Sequence, residues 1–233
     1  MIKMDVAQIT KGKKNFVFIG EAGSGKSEIA VNFAQALCQQ RDREVHFFDL
    51  DMTKPLFRTR DISNELLRMG IQPHYEQQFM DAPTTTGGVQ QFLRSEDCYV
   101  VMDVGGDYIG ARSIGGYASQ LNGENTTVYY VMNSYRPWST DIQHIDCVLG
   151  EILNVSHLSI EKLHLIANPN LGINTCTQDI IDGLEHLDKM VGAYKNFDFV
   201  CVWEKLANIN ASFTKPVLPI KLYLTYPWDV AAM

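Results

Sequence analysis

The stretch Gly20-Glu21-Ala22-Gly23-Ser24-Gly25-Lys26-Ser27 spaces its glycines, lysine and serine as G-x-x-x-x-G-K-[ST]. Each residue type has a reason to be there. Glycines let backbone N–H groups turn inward around an anion without Cβ clashes. A helix beginning at Lys26 directs its positive end at the same anion. Lys26 is placed to contact the outer phosphates, and the Ser27 hydroxyl to ligate a magnesium ion. Gly20, Glu21, Ala22, Gly23, Ser24, Gly25, Lys26, Ser27 and the adjoining Glu28 are therefore the candidate nucleotide-binding residues. Lys26 doubles as a catalytic candidate and Ser27 as a metal ligand.

Two further stretches carry acids where chemistry would need them. "HFFDLDMTKPLFRTRD" ends an apolar run with Asp49 and Asp51. Two carboxylates at the carboxyl end of a buried strand lie on the edge where such sheets bind ligands. One is suited to a magnesium shell and the other to orienting water; Asp51 as a turn or capping residue is the alternative. "VVMDVGGDYIGAR" ends a second apolar run with Asp103, placed to bind magnesium through water. Gly105 and Gly106 follow, and the Gly106 backbone can approach a terminal phosphate closely. That would make the loop after Asp103 sensitive to the phosphate.

These residues need a scaffold that brings several strand ends together. Apolar runs at Phe16–Ile19, Val45–Asp49, Tyr99–Asp103, Thr127–Met132, Leu163–Ala167 and Phe199–Val202 are continuous rather than alternating, as in strands buried on both faces. Helical patterns at Lys26–Gln39, Asp61–Met69, Trp138–Leu153 and Thr177–Val191 lie between them. In the first, Ile29, Phe33, Ala36 and Leu37 share one stripe. Ser139 or Thr140 is expected to cap the third. Residues 71–96 read as a connection turning at Pro83 with a short helix capped near Thr86. The alternation predicts an α/β fold, a mostly parallel sheet with helices on both faces. With 233 residues and no repeat or low-complexity linker, one phosphate-loop domain over 1–233 is expected.

Composition narrows the function classes. A net charge of −7 disfavours nonspecific nucleic-acid binding; the short clusters Lys11–Lys14 and Arg41–Arg43 read as solvated faces. No run of apolar residues is long enough for a membrane span, and the basic N-terminus precedes no apolar signal core, so a cytosolic location is expected. Five scattered cysteines without a C-x-x-C pair fit reduced, mostly buried thiols. The six histidines show no metal-ligand spacing.

The loop at 20–27, "DLD" after the second strand and "DVGG" after the third resemble the MinD/ParA/CobQ group of phosphate-loop ATPases. That group lies within a wider class containing signal-recognition GTPases and nickel metallochaperones. The resemblance spans roughly residues 15 to 220. It implies that Asp51 positions the attacking water while Asp49 and Asp103 support magnesium. It also makes Asn168, in "LHLIANPNLG", the base-reading asparagine. Asn168-Pro169-Asn170-Leu171 lacks the lysine and aspartate with which the related GTPases read guanine, which favours ATP. Many members of the group carry a lysine directly after the first loop glycine and form nucleotide-dependent dimers through it. Here that position is Glu21, and an acid cannot neutralise transition-state charge on phosphate. Arg58 and Arg60 are candidate substitutes for that charge, with a surface role for both as the alternative.

The resulting expectation is a slow, magnesium-dependent ATPase switch, cycling as a nucleotide-dependent homodimer and acting on an unidentified client protein. Maturation of an enzyme, activation of a metallocentre and positioning of a complex are the kinds of task implied. The loops at 52–60 and 104–116 are the expected switch segments. A small-molecule kinase, with Arg58, Arg60 and Arg112 in a lid, and an ATP-binding module without turnover are the alternatives. The C-terminal "LPIKLYLTYPWDVAAM", broken by Pro219 and Pro227 and with one lysine, does not read as a basic membrane helix.

Overall fold

Strand and helix alternate along the computed structural model, which describes residue 10 and residues 12–51, 59–75, 88–139, 141–207 and 214–224. The strands are β1 (Asn15–Ile19), β2 (Glu44–Leu50), β3 (Ile71–His74), β4 (Cys98–Val104), β5 (Thr126–Met132), β6 (Leu163–Ala167), β7 (Phe197–Trp203) and β8 (Val217–Ile220). The helices are α1 (Lys26–Cys38), α2 (Ser63–Arg68), α3 (Val89–Arg94), α4 (Tyr108–Arg112), α5 (Ala118–Leu121), α6 (Ile142–Ser156) and α7 (Thr177–Val191). All eight strands are parallel, in the order β3-β2-β4-β1-β5-β6-β7-β8.

Every residue of β1, β4 and β5 is buried, because both faces of the sheet are covered. On one face α1 and α2 pack Ile29, Phe33, Leu37 and Leu66 against Phe16, Phe18, Phe47 and Val101. Phe33 is the hub, with ring centroids 4.9 Å from Phe16, 5.4 Å from Phe18 and 5.7 Å from Tyr129. Truncating such a side chain to alanine costs about 3–5 kcal/mol. On the other face α3 to α7 cover Val17, Val100, Met102, Val128 and Tyr130.

All six expected strands are present, within one or two residues at their ends. The two that sequence reading did not find, β3 and β8, are the edges of the sheet, and each contains a proline, Pro73 and Pro219. Proline reads as a breaker in sequence, yet an edge strand tolerates it and is protected by it from further pairing. Pro227 lies outside the described residues, as do Pro83 and Thr86; the helix expected near Thr86 begins at Val89. The helix expected at Trp138 starts later. A 3₁₀ turn occupies Pro137–Ser139, and the cap is Asp141, whose carboxylate accepts from the Gln143 N–H at 2.9 Å. Ser139 does not perform that role, and Thr140 lies outside the described residues. The glycine-rich stretch expected as a loop at 104–116 contains α4, capped by Asp107, which accepts from Gly110 N at 2.7 Å. The thiols are more mixed than expected: Cys98 and Cys201 are buried, Cys38 is half-buried, and Cys147 and Cys176 are exposed. Among the described residues no helix is long and apolar enough to cross a membrane.

Candidate functional site

The carboxyl ends of β1, β2, β4, β5 and β6 bring Gly20, Asp51, Gly105, Asn133 and Asn168 to one edge of the sheet. The loop from Gly20 to Gly25 leaves β1 there and enters α1 at Lys26. Gly25 has φ +94°, and a Cβ at this position would run into the Asn168 amide. Asn168 uses that approach: its Nδ2 donates to the Ser24 carbonyl at 2.8 Å, while its Oδ1 is buried without a hydrogen bond among the described residues. The amide nitrogen braces the phosphate loop. Lys26 is fully buried, and its ammonium donates to the Glu21 carbonyl at 2.9 Å, within its own loop.

Asp49 and Asp103 are register partners on β2 and β4, and both are buried. Asp49 is heavily engaged. Its Oδ1 accepts from Asp51 N at 3.1 Å, and its Oδ2 accepts from both the backbone N and the Nε of Arg60, each at 3.2 Å. Arg60 also donates from Nη2 to the Asp51 carbonyl at 3.0 Å. Arg60, a sequence candidate for the missing loop charge, therefore turns to the acid pair. Arg58 lies outside the described residues, and Arg112 ends α4 exposed.

Asp51 follows β2 directly, with Oδ1 3.2 Å from where a Cβ on Gly105 would stand. Gly106 lies closer still to the phosphate loop, since a Cβ on it would be 2.5 Å from Ala22 N. Only glycine allows the loop after β4 to rest on the loop after β1 in this way. These contacts fit a nucleotide and magnesium. Ser24 Oγ is buried without a hydrogen bond among the described residues, as anion-cradling groups are before they are used. No three His, Cys, Asp or Glu side chains among the described residues converge as a metal cage. Magnesium does not need one, because it rests on one or two carboxylates, water and substrate phosphates.

Glu21 faces the first turn of α6. Its carboxylate is buried, with Oε1 3.4 Å from Nε2 of His144 in the first turn of α6. Burial raises its pKa, against the opposing pull of His144 and Lys26. The two carboxylate oxygens of Glu28 accept from the backbone N–H groups of Tyr223 and Leu224 at 2.5 and 3.2 Å. Desolvation pushes the Glu28 carboxyl up to about 7 despite those two bonds. One turn on, the Asn32 side chain accepts from Lys221 N at 2.8 Å and donates to Lys221 O at 2.9 Å, and Gln35 accepts from the Tyr223 hydroxyl at 2.7 Å.

One functional candidate escaped the sequence reading. Arg136, in the turn after β5, donates from Nε to the Gly23 carbonyl at 2.8 Å, which sets a guanidinium against the tip of the phosphate loop. The turn is stiff. Arg136 N donates to Asn133 O at 3.1 Å, Tyr135 N to Asn133 Oδ1 at 3.0 Å, and Asn133 Nδ2 to Asn170 O at 2.9 Å. Its position after a strand facing the loop was the available signal.

Comparisons with known proteins bear on the family and the fold. Residues 16–164 match the model of the CobQ/CobB/MinD/ParA nucleotide binding domain. No curated protein matches the sequence. Among solved structures, the chain is similar to the Signal Recognition Particle 54 kDa protein from Aeropyrum pernix K1 in complex with GDP, at TM-score 0.54 and 13% identity, covering 84% of this chain and 45% of that one. It is also similar to the signal recognition particle receptor FtsY from Elizabethkingia anophelis in complex with GDP, at TM-score 0.53 and 11% identity, covering 83% and 58%. Chloroplast FtsY from Physcomitrella patens matches at TM-score 0.53 and 13% identity, covering 81% and 58%. The matched region spans only about half the length of these structures, and at such identities the likeness is one of fold.

Proposed function

Because the chain belongs to the CobQ/CobB/MinD/ParA nucleotide-binding domain family, we propose that it is a magnesium-dependent ATPase switch whose nucleotide state is read by a client protein. The observation that carries this reading is the contact of Gly106 with Ala22. It seats the loop after Asp103 directly on the phosphate loop, so a change at the outer phosphate must be felt there.

Backbone N–H groups of residues 20–28 and the Lys26 ammonium bind the phosphates, and Asp51 orients the attacking water. Ser27, Asp49 and Asp103, the last through water, would hold magnesium, which supplies charge neutralisation at the phosphates when bound. Asn168 Oδ1 accepts from the base. The absence of lysine and aspartate after Asn168 supports adenine, whereas two of the similar structures named above are complexes with GDP. Arg136 supplies in cis the charge that Glu21 does not. Hydrolysis is slow, and the active form is a nucleotide-dependent homodimer in the cytoplasm.

The test is phosphate release by the purified protein with ATP or GTP and magnesium, with a sizing column run alongside. ATP turnover with a dimer appearing only in its presence is the expected result. GTP turnover alone would overturn the adenine assignment. Tight binding without release would select a second reading, nucleotide binding without turnover, which Glu21 favours.

A further inference from the structure

A cavity of about 560 Å³ opens between α6 and the end of α7, above β5 and β6, on the opposite face of the sheet from α1. Its floor is Tyr130 and Met132 of β5 with Leu163 and Leu165 of β6. Its wall is the α6 stripe Ile142, Ile145 and Leu149, at helical spacing, of which only Ile145 is fully buried. An amphipathic helix ordinarily covers such a stripe completely. At the mouth stand Ile160 and Tyr194, 64% and 79% exposed, beside Gln143, Asp146 and Lys195. A large apolar rim next to a concave apolar interior marks a binding site rather than a packing defect.

The shape and lining select the occupant. The volume lies within the roughly 300–1,000 Å³ of small-ligand sites. The interior is almost wholly aliphatic, while the groups that donate and accept hydrogen bonds gather at the opening. We propose that this cavity binds an aliphatic acyl chain, with the chain on Met132, Leu149 and Leu165 and its polar head among Gln143, Asp146 and Lys195. The site is separate from the nucleotide edge and does not depend on the ATPase reading. The two nevertheless share α6, whose first turn carries His144 against Glu21.

The experiment is calorimetric titration of the full chain with straight-chain carboxylates of six to fourteen carbons and the matching 1-alkanols, below their aggregation concentrations. Saturable one-to-one binding should tighten about fourfold per added methylene until the cavity is full, then level off. Leu149→Trp should weaken the longer chains more than about tenfold while leaving the melting temperature close to wild type. Ile160→Glu, on the exposed rim, repeats the test without disturbing the core. Preference for the carboxylate, lost in Lys195→Gln, would assign the chain to a free fatty acid. Equal binding of the alcohol would assign it to an acyl group on a larger carrier. No saturable binding, no dependence on chain length, or affinity unchanged in both Leu149→Trp and Ile160→Glu would overturn the proposal.

Discussion

Asp49 and Asp103 stand directly opposite each other on adjacent parallel strands, and Arg60 holds Asp49 in an ion pair of 3.2 Å. The pair therefore divides its labour. Asp103→Asn should raise the magnesium needed for half-maximal turnover by about 10–100-fold with little loss of stability. Asp49→Asn should destabilise the fold by about 3 kcal/mol, because it leaves the mostly buried Arg60 guanidinium without its carboxylate. Magnesium titrations and denaturant melts of both variants check this; equal stability losses would contradict the division.

Lys26→Ala should abolish nucleotide binding, whereas Asp51→Ala should keep binding and lose turnover. Equilibrium titration with a fluorescent ATP analogue, beside phosphate release, separates the two. Retained affinity in the Lys26 variant would count against the phosphate-loop assignment.

Arg136→Ala should lower the turnover number about 10²-fold, the scale of removing one preorganised donor from a developing charge. Nucleotide affinity should change less. Arg136→Lys should not restore the rate, because an ammonium lacks the planar fork that can hold Gly23 O and a phosphate together. An unchanged rate in Arg136→Ala would remove it from the catalytic set.

His46 Nδ1 lies 2.9 Å from His74 Nε2, with the His74 ring stacked on Phe48 at 4.5 Å. Burial holds both imidazoles below the usual histidine range, and His46 adds to the effect on His74; Glu44, 3.6 Å from His46, opposes it. The unfolded chain therefore takes up more protons below about pH 6.5. Stability should be full above that value and fall as the pH drops toward the folded pKa values. His74→Phe should flatten part of this slope in thermal melts between pH 5 and 7.5. An identical slope would place the acid sensitivity elsewhere.

Interior strands and the phosphate loop were legible because each is dictated locally. Phe16–Ile19 must be buried on both faces, and Gly20–Ser27 must wrap an anion whatever surrounds it. Edges were not legible, because Pro73 and Pro219 break strands everywhere except at a sheet margin, and margins are decided by strand order. Arg136 and His144 were missed for a related reason. Each acts on the phosphate loop from more than a hundred residues away, through a contact that no spacing in the sequence encodes. The fate of Glu28 was hidden too, since its partners are the backbone of a segment whose side chains carry no signal for it.

That segment sets a timetable for biosynthesis. The polar stripe Glu28, Asn32 and Gln35 on α1 finds long-range partners at Lys221, Tyr223 and Leu224, up to 196 positions later in the chain. At about 5–20 residues per second, a ribosome takes roughly 10–40 s to cover that distance. Throughout that interval the helix that begins at Lys26 must leave these three side chains to water or to chaperones. A nascent chain stalled at residue 207 would carry every glycine of the phosphate loop and still lack the clasp that seats the first helix. Competence for nucleotide should therefore wait until residues 221–224 have been made, and a chain cut short at residue 207 should not capture nucleotide.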